Sequence, residues 1–186
     1  MLVIQVLKRL SWARPMADHT VSIRDFDDHD RSAVAALQIE NWISTYGHLA
    51  KPGFIDGPLQ DSTNEEWKMA HFDGLDFALV ATTSDDSVIG FITVLRRESY
   101  AFIDHLHASP AHRRMGVGRK LMLAASSRIL MQGYSIMRLT VYAENQRARA
   151  FYAALGGVEI EDYEDDTLGT TQQTWVVEWN GNIPTG

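Results

Sequence analysis

The spacing of hydrophobic positions changes along the chain, and the changes mark out its elements. Val21-Ser-Ile-Arg-Asp25 alternates apolar and polar residues and predicts a strand. Ala35, Ile39, Trp42, Ile43 and Tyr46 recur three and four residues apart, predicting a helix from about Asp28 to Thr45. Asp27 or Asp28 can cap it, Asp30 adds negative charge to its first turn, and Gly47 ends it. Gly47, Pro52, Gly53, Gly57 and Pro58 punctuate a loop with Phe54 and Ile55 as anchors. A second helix is expected from a cap at Ser62 or Thr63, carrying Trp67, Met69, Ala70 and Phe72 to near Gly74. Residues 77–83 and 88–95 flank Ser84-Asp-Asp-Ser87 as a hairpin, and a further strand, 100–108, stops at Pro110. Gly118, Leu121, Met122, Ala125 and Ile129 share one face of a helix that Gly133 closes. Residues 136–142 form a fifth strand, and Asn145 caps a helix over 146–155. Residues 158–160 and 174–179 supply the last strands, joined by an acidic loop, 161–170, expected to be mobile.

There are no repeats and no linker-like break. The expected architecture is one α/β (α+β) domain over residues 20–180, with a mixed, mostly antiparallel sheet of about six to seven strands and about four helices. Residues 1–19 read as an arm and 181–186 as a tail. Met16 is a plausible start, so the first fifteen residues are either an upstream extension or an arm that packs on a neighbour.

Composition narrows the function. The 186 residues are 45% hydrophobic and 22% charged, the balance of a globular protein. The net charge of −7 argues against nucleic-acid binding and suits a cationic or amine substrate better. With no cysteine, disulfides, thiolate zinc sites and a cysteine nucleophile are excluded. No apolar run approaches the ~18 residues needed to span a bilayer. Met1-Leu-Val-Ile-Gln-Val-Leu7 is followed, not preceded, by basic residues, the reverse of a secretory signal, so the cytoplasm is the default.

The candidate chemistry centres on Arg113-x-x-Gly116-x-Gly118, between a strand and a helix. Glycines let the backbone turn tightly and come close to a ligand. The first N–H groups of the helix are unpaired and point at whatever lies before them. An anion such as a pyrophosphate fits there, with Arg113, Arg114, Arg119 and Lys120 adding positive charge. A second block follows, Asn145-Gln-Arg-Ala148-Arg-Ala-Phe151-Tyr152-Ala-Ala-Leu155-Gly156. Together the two resemble the successive motifs of the GCN5-related N-acetyltransferase (GNAT) family, in its order and at about its spacing.

The resemblance implies a GNAT-like fold and an acetyl-CoA-dependent N-acetyltransferase. It acts on a primary amine by direct attack in a ternary complex. The loop Arg113, Arg114, Met115, Gly116, Val117, Gly118 and Arg119 would hold the cofactor's pyrophosphate. Main-chain groups of Leu106 and Ala108 would bond its pantetheine arm, as would Asn145, which also has a capping role. Tyr152 matches the general-acid position, where a hydroxyl faces the departing sulfur. Glu40, Trp42, Tyr46 and Phe54 are candidates to line the acceptor pocket, although helical spacing also suits Trp42 and Tyr46 as core aromatics. The block departs from the family's usual Leu-Gly-Phe ending: here it is Leu155-Gly-Gly-Val158, and the missing aromatic is expected to loosen packing there.

The general base stays open. Asp104 and His105 are adjacent on the strand before the loop, and adjacent strand residues face opposite sides, so only one reaches the acceptor without a bulge. Family members with an acidic base in this strand favour Asp104, while His105 has the better intrinsic pKa. Glu40 or a chain of waters are alternatives. His105-x-His107 puts two imidazoles on one face, but no spacing motif supplies further metal ligands, and no metal is expected. The acceptor is a small-molecule or peptide amine, and the arm and final strands would suit a homodimer. The alternative from another class is a catalytically silent acyl-CoA-binding sensor or regulatory module. A dinucleotide-binding domain is disfavoured, since the loop is not Gly-x-Gly-x-x-Gly.

Overall fold

The computed structural model describes residues 20–186; the expectations for the arm lie outside the described residues. Seven strands form one sheet in the order β1-β2-β3-β4-β5-β7-β6. They are β1 (Ser22–Asp25), β2 (Phe77–Thr82), β3 (Val88–Arg96), β4 (Ala101–Ala108), β5 (Ile136–Tyr142), β6 (Val158–Asp165) and β7 (Gln172–Asn180). The helices are α1 (Arg31–Tyr46), α2 (Pro58–Met69), α3 (Val117–Met131) and α4 (Gln146–Ala154). Every neighbouring pair is antiparallel except β4 and β5.

Each face of the sheet carries its own core. On one side, α3 buries Val117, Leu121, Met122, Ala125 and Ile129 against β2, β3 and β4. On the other, Val34, Ala35 and Leu37 of α1 and Trp67 of α2 pack on Val80 and Phe91. The α1 stripe therefore runs through Val34 and Leu37, while Ile43, expected on the apolar face, is exposed. Asp27 caps the 3₁₀ turn that leads into α1, with a reciprocal bond from its own N–H to Asp30. Asp30 is buried and held by Arg24 at 2.7 Å.

Three expectations need correction. The second helix begins at Pro58, well before Ser62; proline is suited to the first helical position because its missing N–H has no partner there in any case. That helix stops at Met69, so Phe72 lies beyond it. Much of the acidic segment expected as a loop is strand: β6 continues through Asp165, paired to β7 from Val158↔Glu178 to Asp165↔Gln172. As the last strand of the sheet it is solvated on both faces, so main-chain pairing suffices and its side chains can be acidic. In the tail, Ile183 is buried in the main core.

The departure at Gly157 has a packing explanation. A Cβ there would lie 2.7 Å from both Trp179 and Val177. Trp179, fully buried, fills the space at the end of α4, and its indole N–H donates to the Leu155 carbonyl at 2.8 Å. Packing there is tight, because β7 supplies the aromatic that the α4 end lacks.

Candidate active site

The site is built where β4 and β5 part. Their ladder holds only Ala101↔Met137 and Phe102↔Arg138, and beyond Phe102 the two strands have no pairing with each other. The gap opens into a cavity of about 380 Å³, whose wall includes Asp104, His105, Tyr152, Asn145, Trp42 and Tyr46. Leu106 also lines it, whereas Ala108, two residues further along β4 toward the glycine loop, is not part of its wall.

That loop sits at the N-terminus of α3. Gly116 is left-handed at φ 72°, as a glycine readily is, and caps α3 without any side-chain bond, which leaves the first-turn N–H groups free of a capping partner. The second left-handed residue is Arg114, at φ 69°, rather than Gly118, which is helical. Gly118 faces the Phe151 ring, where a Cβ would lie in ordinary contact at 3.7 Å. Arg113, Arg114 and Arg119 are exposed and have no ion pair among the described residues. The loop is seated on the sheet through Gly90 of β3, where a Cβ would meet Val117 at 2.6 Å. Met115 packs beside the core and Val117 within it. Unpaired amides and uncompensated guanidinium groups make a fitting cradle for a phosphate chain.

Tyr152 is 8% exposed, wedged edge-on against Trp179 and Phe151. Its hydroxyl makes no hydrogen bond among the described residues, and burial first, then the nearby Tyr46, raises its pKa above the ordinary tyrosine range. Asn145 does two jobs: its Oδ1 accepts from the Ala148 N–H at 3.1 Å, and its Nδ2 donates to the Tyr46 hydroxyl at 2.7 Å. Trp42, Tyr46 and Tyr142 stand edge-to-face, with Tyr46 and Tyr142 centroids 5.0 Å apart. Trp42 and Tyr46 are thus half-buried wall residues rather than core. The Tyr142 hydroxyl donates to Asp165 at 2.9 Å, and burial with this bond raises its pKa. Glu40 is exposed and, like Phe54, is not part of the cavity wall.

The strand before the loop does contain a bulge. Thr93 pairs with His105 and Val94 with Ile103, leaving Asp104 unpaired, so Asp104 and His105 both reach the cavity. His105 Nδ1 lies 3.1 Å from Asp104 and 3.1 Å from the Thr93 hydroxyl. Its Nε2 lies 3.2 Å from Gln38 Nε2 and 3.3 Å from Glu66. Desolvation pushes the Asp104 carboxyl up, but the His105 hydrogen bond, the His105 charge and Arg97 together outweigh it, leaving the carboxyl below its usual range. His107, against Phe91, is pulled down to about 3 by desolvation and then by His105. Glu66, Asp104 and His105 offer ligand atoms within 4.8 Å of one another, but both His105 nitrogens already have hydrogen-bond partners, so the cluster is explained as a polar network.

Residues 34–157 match the model of the acetyltransferase (GNAT) family. This chain belongs to that family. The acetyltransferase is 22% identical, over 77% of its length and 91% of the relative's, to a spermidine N(1)-acetyltransferase of Thermoplasma acidophilum. Its fold matches the PaiA N-acetyltransferase of Thermoplasma acidophilum solved in complex with coenzyme A (TM-score 0.66, 20% identity, 87% of this chain and 99% of that one). It also matches the ribosomal-protein-S18-alanine N-acetyltransferase of Escherichia coli (TM-score 0.64, 17% identity, 90% and 96% covered). The fold of this acetyltransferase is therefore the family's mixed α/β architecture, and structures of that fold hold coenzyme A.

Gln38, Glu66, Thr93, Tyr142 and Asp165 were missed by sequence reasoning. Tyr142, the last residue of an expected strand, was the one with a signal, since the block after it begins at Asn145. No helix of the described residues is long and apolar enough to cross a membrane.

Proposed function

We propose that this enzyme transfers the acetyl group of acetyl-CoA to a primary amine by direct attack in a ternary complex, and that it works in the cytoplasm. The observation that carries this reading is the meeting, in one cavity, of an unpartnered Tyr152 hydroxyl, the Asp104–His105 pair and the open edge between β4 and β5. Acetyl-CoA supplies the acyl group as a thioester. The unpaired amides after Gly116, with Arg113, Arg114 and Arg119, hold its phosphates, and the free edge of β4 at Leu106 and Ala108 faces its pantetheine arm. Asp104 and His105 draw the proton from the attacking amine. Tyr152, kept protonated by burial, donates toward the sulfur as it leaves.

The acceptor chemistry follows from the walls. Asp104 and Asp165 with the Trp42, Tyr46 and Tyr142 faces suit an aliphatic cation. The loop after α1 and the turn between β6 and β7 are joined over this side: Lys51 N–H donates to the Leu168 carbonyl at 3.0 Å and the Thr170 hydroxyl to the Leu49 carbonyl at 2.6 Å. Such a bridge favours an amine presented on a slender chain end, whether a small molecule like the relative's spermidine or a peptide amine.

Calorimetric titration with acetyl-CoA tests the reading, followed by thiol release with spermidine, amino-acid amides and a peptide with a free N-terminus. Tight binding with amine-dependent thiol release is expected. Binding without release from any of these amines would favour the acyl-CoA sensor, and no binding would remove the role given to the loop at Gly116.

A further inference from the structure

The polar network behind Asp104 has a direction. The Trp67 indole N–H can only donate, and it donates to Gln38 Oε1 at 2.7 Å in a buried contact. That fixes the Gln38 amide, so its NH₂ group must face the other way. One of its hydrogens reaches Glu66 Oε2 at 3.3 Å, and the other points to His105 Nε2 at 3.2 Å. Nε2 then accepts, and the ring proton of neutral His105 lies on Nδ1. There it points at Asp104 Oδ2, 3.1 Å away, beside the Thr93 hydroxyl, which accepts from the His105 main-chain N–H at 3.0 Å. The donors run one way, from α2 through α1 to the bulge of β4, and end on a carboxylate.

We propose that Gln38 and Trp67 are positioning residues for the acetyl transfer: they fix the His105 tautomer whose Nδ1–H holds the Asp104 carboxylate toward the acceptor amine. This rests on the transferase reading above. Neither residue touches the larger cavity; Gln38 is 3% exposed and Trp67 2%. A buried glutamine with its carbonyl and both amide hydrogens engaged is a costly group to misplace, which gives the chain its rigidity. Glu66 is the alternative partner of Nε2, at 3.3 Å. A ring with its hydrogen on Nε2 would donate it to Glu66, the Gln38 hydrogen would lose its acceptor, and the one-way order would be broken. Other titratable groups around His105 are His107, whose ring lies 5.9 Å away, and His71 in the adjoining cavity of about 240 Å³. Tyr46, Tyr142 and Tyr152 share the larger cavity with it, and Arg97 acts on Asp104.

The test reads the tautomer directly. Nitrogen NMR of histidine-labelled full-length protein, with His105 assigned by a His105→Gln sample, is expected to show Nδ1 protonated and Nε2 bare at neutral pH. Gln38→Glu keeps the volume but reverses the polarity, and is expected to protonate Nε2. It should lower kcat roughly 10-fold or more, with KM for acetyl-CoA unchanged, and move the acid limb of the pH profile to higher pH. Gln38→Leu removes the bond without reversing it and should fall between the two; a purely structural role would not order the variants this way or move the limb. A wild-type spectrum with Nε2 protonated overturns the chain even if every variant misfolds. Gln38→Glu with the expected spectrum but unchanged kcat overturns the positioning role. A lack of turnover with every amine would instead remove the transferase reading, an outcome that the spectrum does not depend on.

Discussion

Replacing Tyr152 by Phe separates catalysis from stability. The phenol is 8% exposed, and its ring contacts to Phe151 and Trp179, at 5.4 and 6.1 Å, survive the change. Only the hydroxyl is lost, and it has no hydrogen-bond partner among the described residues. Removing a polar group that faces the cavity and bonds to nothing in the protein costs no hydrogen bond, so the melting temperature should hold. The activity should behave oppositely. A positioned general acid contributes about 10²–10⁴-fold, which at 1.36 kcal/mol per factor of ten is about 3–5 kcal/mol of barrier. Steady-state kinetics on matched samples would show kcat down by about two orders of magnitude or more, with acetyl-CoA affinity by calorimetry nearly unchanged. Because burial lifts the Tyr152 pKa, the wild-type alkaline limb should not move in the variant. A variant with normal kcat and weak cofactor binding would refute the assignment of the proton donor.

Other expectations concern stability. His107 stays neutral in the folded state down to about 3, whereas the unfolded chain takes up a proton near 6.5, so its contribution is complete above about 6.5 and is lost as pH falls from there. The unfolding free energy from urea titrations should drop between pH 7.5 and 5 by up to about 1.4 kcal/mol per pH unit below 6.5, and His107→Phe should flatten the slope; a flat wild-type profile would contradict this. Gly157→Ala drives a Cβ to 2.7 Å from Trp179 and Val177 and should cost about 1–3 kcal/mol by chemical denaturation, against no change if that corner were loose. Asn145→Ala should lose about 1 kcal/mol as a cap, while Asn145→Asp, which still accepts from the Ala148 N–H, should melt close to wild type.

Legibility in the sequence followed the size of the side-chain signal. The strands β2 to β5 were readable as apolar, β-branched runs bounded by turn residues, and the helix ends at Gly133 and Asn145 as capping residues. The start of α2 was not, because Ser62 and Thr63 look like caps while the helix buries little beyond Leu59, Thr63 and Trp67. The acidic part of β6 carried no apolar alternation, since a solvated edge strand needs only its backbone. At the site, the glycine loop and Tyr152 were legible as motif residues. The bulge at Asp104 was not, because it is a property of register with β3, and the Trp67–Gln38 pairing joins residues far apart in sequence on two helices.

The short ladder between β4 and β5 has a mechanical side. The sheet amounts to two leaves, β1 to β4 and β5 to β6, pinned together at Ala101↔Met137 and Phe102↔Arg138 and spread like an open book above the pin. An occupant bonded to both inner margins works as a rivet as well as a reactant. Its concentration then sets stiffness: at a hundred times its Kd it adds about 2.7 kcal/mol to the folded state. Departure of such an occupant would take the rivet out, and amide exchange along the facing margins is expected to rise when it leaves.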